Sequence, residues 1–204
     1  MFVPRQSSPG RRRSGRGLME LLVVAAISII ATVLLTRDLG LGGGNHTLAA
    51  CQGNLQKVYL ALSIYQNDNK GAFPLWSGAT NPAQPLSLLV PKCTTDTGMF
   101  ICPGSDDKPL PEAESFAARK ISYAYYVGWT TNDDENAIIA SDAQVDAAPK
   151  NAGQQIFSED GKKPGNNHGK VGGNLLTRGG SVGVSGPKAA RDVRYPSSVI
   201  LLNP

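Results

Sequence analysis

Leu18 to Leu35 reads LMELLVVAAISIIATVLL, eighteen residues with one ionisable group, Glu20, and neither Gly nor Pro. At about 1.5 Å of rise per residue the run makes roughly 27 Å of helix, close to the hydrocarbon thickness of a bilayer. Before it stand Arg5, Arg11, Arg12 and Arg13 with no acid among the first fifteen residues. A basic flank on one side and a neutral one on the other predict a single-pass segment with the N-terminus in the cytoplasm and residues 37–204 outside. A secretory signal peptide and a plain anchor compete with this reading. Neither explains Glu20, because a carboxylate inside a bilayer costs a few kcal/mol and calls for a partner.

Outward from that run, the chain of 204 residues has room for one domain of ordinary size, and its 41% hydrophobic content is enough for a core. Only 6% of residues are aromatic, while Gly and Pro together number 37, which predicts short strands and many turns rather than a helical bundle. The formal charge of +4 resides in the four arginines of the head, since residues 16–204 hold sixteen basic and sixteen acidic side chains. Removing the head removes the argument for nucleic-acid binding.

Asp38 to Asn45 reads DLGLGGGN, and its glycines, each costing a helix about 1 kcal/mol relative to Ala, predict a joint over residues 37–47. Asn45-His46-Thr47 fits a glycosylation sequon and is read as chance. From Leu48 the spacing Leu48, Cys51, Leu55, Val58, Leu62, Tyr65 gives one apolar stripe, hence a helix over 48–66 that covers one face of a sheet. Short strands are expected at Met99–Cys102, Ser122–Val127, Ala137–Ala140, Gly173–Leu176, Ser181–Val184 and Val199–Leu202. Gly179-Gly180 supplies the chemistry of a tight primed turn between the fourth and fifth of them. The pattern predicts an α+β fold, a long N-terminal helix broken at a Gly-rich joint and packed on a small antiparallel sheet.

The run Ser14-Gly15-Arg16-Gly17-Leu18-Met19-Glu20-Leu21-Leu22 resembles the prepilin signature, in which a dedicated peptidase cuts after a Gly and the fifth mature residue is Glu. The resemblance implies a cut after Gly15, Arg16 as the mature terminus, and Glu20 paired with the terminal amine of a neighbouring subunit. Family members usually carry Phe and Thr where this chain has Arg16 and Gly17. Cys51 through Pro74, Met99-Phe100-Ile101-Cys102-Pro103, Ile121 to Tyr125 and Asn167-His168-Gly169 resemble a pseudopilin-like branch common in planctomycete- and verrucomicrobia-type bacteria. The hairpin of that branch usually turns on Asp-Gly, replaced here by Arg178-Gly179, so any role of the Asp is lost while the turn is kept.

The resemblance divides the chain into a basic leader (1–15), an apolar membrane and assembly helix (16–36), the joint (37–47) and a pilin-like domain (48–204). It implies a structural subunit of a type II secretion pseudopilus or type IV pilus-like filament in the bacterial inner membrane, with its domain outside. Its implied partners are identical or related pseudopilins, the prepilin peptidase and an inner-membrane assembly platform. A membrane-tethered binding module that does not polymerise is the alternative.

Three Cys in an exported domain point to one disulfide. Cys93 and Cys102 enclose a short loop and are the first candidates, with Cys51 a buried thiol; Cys51 with Cys102 is the other pairing. The acidic run Asp133, Asp134, Glu135, with Asp142 and Asp146 beyond it, offers oxygen ligands for Ca²⁺, against the reading of a solvated loop. Catalysis has no support: Gly179-Gly180-Ser181-Val182-Gly183 fits a nucleophile-elbow pattern, but no His follows Ser181. Walker A, HExxH and complete GxGxxG patterns are lacking, so the chain is read as no enzyme. His168, beside Gly-rich turns, is read as a hydrogen-bonding structural residue.

Overall fold

Lacking Gly and Pro, the apolar run joins a helix, α1 (Arg16–Gly40), in a computed structural model that describes residues 16–40, 43–108 and 115–204. The chain divides into two units between Gly42 and Gly43. In the first, the side chains of α1 are described at 19–30 and 32, and all of these are exposed. Among the described residues no helix is long and apolar enough to cross a membrane. The expected membrane segment, 18–35, extends past those described side chains, and Gly15 lies outside the described residues.

The second unit opens with α2 (Gly43–Asp68), followed by the short α3 (Ala83–Leu86), three 3-10 turns and five strands. These are β1 (Tyr123–Val127), β2 (Ile138–Asp142), β3 (Gly173–Thr177), β4 (Val182–Ser185) and β5 (Ile200–Leu202). They form one antiparallel sheet in the order β4-β3-β2-β1-β5. The stripe predicted for α2 is real: Leu48, Cys51, Leu55, Val58 and Leu62 are buried where the helix packs on β2, β3 and β4. The helix begins before that stripe, at Gly43, and Thr47 already reaches the domain, with Oγ1 at 3.4 Å from His168 Nδ1. Tertiary contact outweighs the weak helix propensity of the glycines.

Strand β1 is buried along its whole length rather than on alternate residues. Both faces of the sheet are covered at that point, which removes the alternation of a half-solvated strand. Tyr125 donates its hydroxyl to the Pro74 carbonyl at 3.2 Å, while the next residue, Tyr126, meets Tyr195 edge to face at 5.2 Å.

Two local expectations need correction. Met99–Cys102 is not a strand: Thr97–Phe100 forms a 3-10 turn, closed by Ile101 N donating to Gly98 O at 3.1 Å. A four-residue apolar run does not distinguish a strand from a buried turn. The β3–β4 connection is not a primed two-residue turn, because only Gly180 of the glycine pair has a positive φ, +86°. Gly180 N donates to Thr177 O at 3.0 Å and Thr177 N to Ser181 O at 2.9 Å, the pattern of a three-residue loop ending in a left-handed glycine. A Cβ at Gly180 would clash with the edge of the Tyr59 ring.

Arg178, at the tip of the β3–β4 hairpin, is 8% exposed. Its guanidinium donates to Thr130 O at 2.5 Å and to Asp133 O, and lies over the Phe73 and Trp129 rings at 5.3 and 5.9 Å. The hairpin tip thereby fastens the 130–136 loop to the sheet. Arg178→Ala is expected to cost about 2–4 kcal/mol, since charge-assisted hydrogen bonds and a buried cation–π contact are lost together. Urea unfolding followed by tryptophan fluorescence reads that loss, and Arg178→Lys should recover only part of it.

Candidate functional site

Asp142 ends β2 with no exposed surface, and its carboxylate gathers donors from the segments around it. Oδ2 accepts from Asn174 N at 2.6 Å, from Asn174 Nδ2 at 3.0 Å and from His168 Nε2 at 3.1 Å. Oδ1 accepts from Asn167 Nδ2 at 3.2 Å. Asn174 Nδ2 also donates to Leu48 O on α2 at 3.1 Å, and Asn167 Nδ2 to Ser122 O at 2.9 Å. One buried charge therefore links β2, the loop before β3, β3 itself and α2. A carboxylate in this setting is tolerable only with such a set of donors.

Local backbone chemistry lets β3 deliver Asn174. Gly172 has φ +112°, a conformation that side chains disfavour. Gly173 faces the Phe157 ring so closely that a Cβ would lie 2.7 Å from its edge. The two glycines bring the strand against Phe157 and turn both amide groups of Asn174 toward Asp142.

Beside this pair lies a disulfide between Cys51 and Cys102, with Cα atoms 5.2 Å apart. The pairing Cys93–Cys102 is thus corrected: Cys93 is free and half-buried, its thiol pushed up by burial and by Asp68. Cys51 is on the inward stripe of α2, and the turn at Thr97–Phe100 carries Cys102 beneath it, so closeness in space outweighs closeness in sequence. Cys102 Sγ is 3.5 Å from His168 Nε2 and accepts from Gly104 N at 3.3 Å. One ligand atom from each of Cys51, Cys102, Asp142 and His168 falls within 4.8 Å of the others, and all four residues are buried. Burial, with the Asp142 charge nearby, also pushes the Tyr123 hydroxyl well above its ordinary range.

The calcium candidates lie elsewhere, and the carboxylates of Asp133 and Asp134 are already engaged. The Asp133 carboxylate accepts from Thr130 N at 2.6 Å and Oγ1 at 2.8 Å, and these bonds hold it below the usual carboxylate range. Asp134 Oδ1 accepts from Asn136 N at 2.9 Å, while the backbone carbonyl of Glu135 accepts from Gly179 N at 2.8 Å. With Arg178 bonded to the carbonyl of Asp133, this loop already has its cation. Among the described residues these three acids belong to no group with metal-ligand spacing. Asp142 and Asp146 do not act together either: Asp146 pairs with Lys150 at 2.6 Å, away from the buried cluster.

Of the residues expected to serve processing and assembly, Arg16 opens α1 and Glu20 is exposed one turn later. The pairing of Asp142 with His168 and Asn174 was not read from the sequence. Its one visible signal is an Asp closing the apolar strand Ile138-Ile139-Ala140-Ser141-Asp142, a place where a charge needs an internal partner. Comparison of the chain with family models, with curated proteins and with solved structures finds no match.

Asp142→Asn preserves the volume but weakens acceptance from the His168 and Asn174 donors. It is expected to destabilise the domain by about 3 kcal/mol. Urea unfolding at neutral pH checks this, with an unchanged m-value marking a loss of stability rather than of the fold.

Proposed function

We propose that this chain is a pseudopilin-like structural subunit of a type II secretion pseudopilus or type IV pilus-like filament, and not an enzyme. It is cut after Gly15, and its apolar helix joins it to identical or related subunits at the inner membrane. The observation that carries this reading is the surface of α1. Leu21, Leu22, Val23, Val24, Ile27, Ile29 and Ile30 are each more than half exposed. At about 100° per residue they occupy every side of the helix, so it has no polar face to turn to water. Such a helix needs lipid, other helices, or both. The one charge among its described side chains, Glu20, gains little from lipid and much from a cation on a neighbouring helix.

The spacing from Gly15 to Glu20 supports the terminal amine of the next subunit as that cation. The pair would set axial register as a buried polar pair does in a coiled coil. The role of the 43–204 domain is then to be carried on the helix rather than to catalyse.

Glu20→Ala should insert in membranes at least as well as the parent and retain a protease-resistant domain from about Cys51 onward. Its cross-linking into filaments with the host's pseudopilins should fall by more than about tenfold, because breaking a buried ion pair costs several kcal/mol. Co-assembly at the parent's level would refute the pairing. A parent chain that joins no filament would put the tethered binding module in its place.

A further inference from the structure

We propose that the reduced chain holds one Zn²⁺ ion between Cys51 Sγ, Cys102 Sγ, His168 Nε2 and Asp142 Oδ2, at the site that the disulfide closes in the oxidised chain. The inference is independent of the filament reading. The donor set is that of a structural zinc site, two thiolates, an imidazole and a carboxylate. Its soft sulfurs favour zinc over Ca²⁺ or Mg²⁺.

The spacing supports this assignment. With zinc–ligand bonds of ordinary length, a tetrahedral site needs about 3.6 Å between sulfur and imidazole nitrogen and about 3.4 Å between nitrogen and carboxylate oxygen. The corresponding distances here are 3.5 and 3.1 Å. The two sulfurs, joined in the oxidised chain, would separate to about 3.8 Å by side-chain rotation. Their Cα atoms, 5.2 Å apart, can stay in place.

An outer layer of hydrogen bonds is already present. Thr47 Oγ1 lies 3.4 Å from His168 Nδ1 and can accept its proton, which leaves the Nε2 lone pair for the metal. Nε2 faces Asp142 Oδ2 at 3.1 Å, and metal binding uses the tautomer with the proton on Nδ1. Asn174 orients Asp142 Oδ2 through its backbone and side-chain amides, and Gly104 N points at Cys102 Sγ. On binding, each of the two thiols gives a proton to solvent as its sulfur–zinc bond forms. Disulfide and metal exclude each other because they use the same sulfurs.

The test uses the full chain in detergent with Cys93→Ser, so that only two thiols remain. The protein is unfolded, reduced with a phosphine, and refolded without oxygen in the presence or absence of Co²⁺ as a spectroscopic stand-in for zinc. The phosphine takes up oxygen from water as it delivers two electrons to the disulfide. One equivalent of cobalt per chain is expected, with tetrahedral bands and a thiolate-to-metal charge-transfer band that Zn²⁺ abolishes. Cys51→Ser should weaken binding by more than about tenfold, and the oxidised chain should show no such bands. Refolding only when metal is present would also support the site, since metal binding then supplies folding free energy. A reduced chain that regains its circular dichroism and binds no cobalt overturns the proposal. So does a chain that refolds in neither condition, or a Cys51→Ser, Cys102→Ser variant that retains the bands.

Discussion

The carboxylate of Asp142 sits at the point where α2, the sheet and the loop before β3 meet, and it has no exposed surface. Moving such a charge out of water costs several kcal/mol even after relaxation. Only the simultaneous presence of Asn167, His168 and both amides of Asn174 offsets that cost. The requirement is geometric as much as energetic, since every donor must arrive from a different direction. It explains the glycines before Asn174, the bond from Asn174 to the Leu48 carbonyl, and the early start of α2 at residues that reach His168. The disulfide fastens the same stretch of α2 to the chain after the 3-10 turn at Thr97–Phe100. It closes a loop of about fifty residues, which on the chain-entropy account stabilises the domain by roughly 4 kcal/mol. The polar node and the covalent link are adjacent, so they restrain one region of the domain twice.

Apolar spacing made much of this fold legible. The stripe from Leu48 to Leu62 and five of the six expected strands are present, because the first rests on a helical period and the strands on short runs bounded by Gly and Pro. The failures share a cause. Met99 and Phe100 are apolar because they are buried, and burial alone does not select strand over turn. Cys102 pairs with Cys51 and not with Cys93, because a partner 51 residues away becomes the nearest only after α2 has docked. The donors around Asp142 were invisible for the same reason: Asn167, His168 and Asn174 stand 25, 26 and 32 residues from it. Arg178 was read as a lost acidic residue, yet its cation clamps a loop whose own acids had suggested a metal.

The two units present different physical problems. The 43–204 domain satisfies its buried charge internally, and its acidic loop is held by an arginine bonded to the loop's own carbonyls. The helix of the first unit does the opposite, exposing apolar side chains all around and one carboxylate. On the account proposed here that helix is completed by neighbouring subunits, and the completion begins when the basic head is removed to free a terminal amine near Glu20. The mass of the native chain, taken from the membrane fraction of cells that contain a prepilin peptidase, tests this most directly. The account predicts a chain that begins at Arg16. A chain that retains Met1, or one cut beyond Leu35 with the apolar run removed, would contradict it.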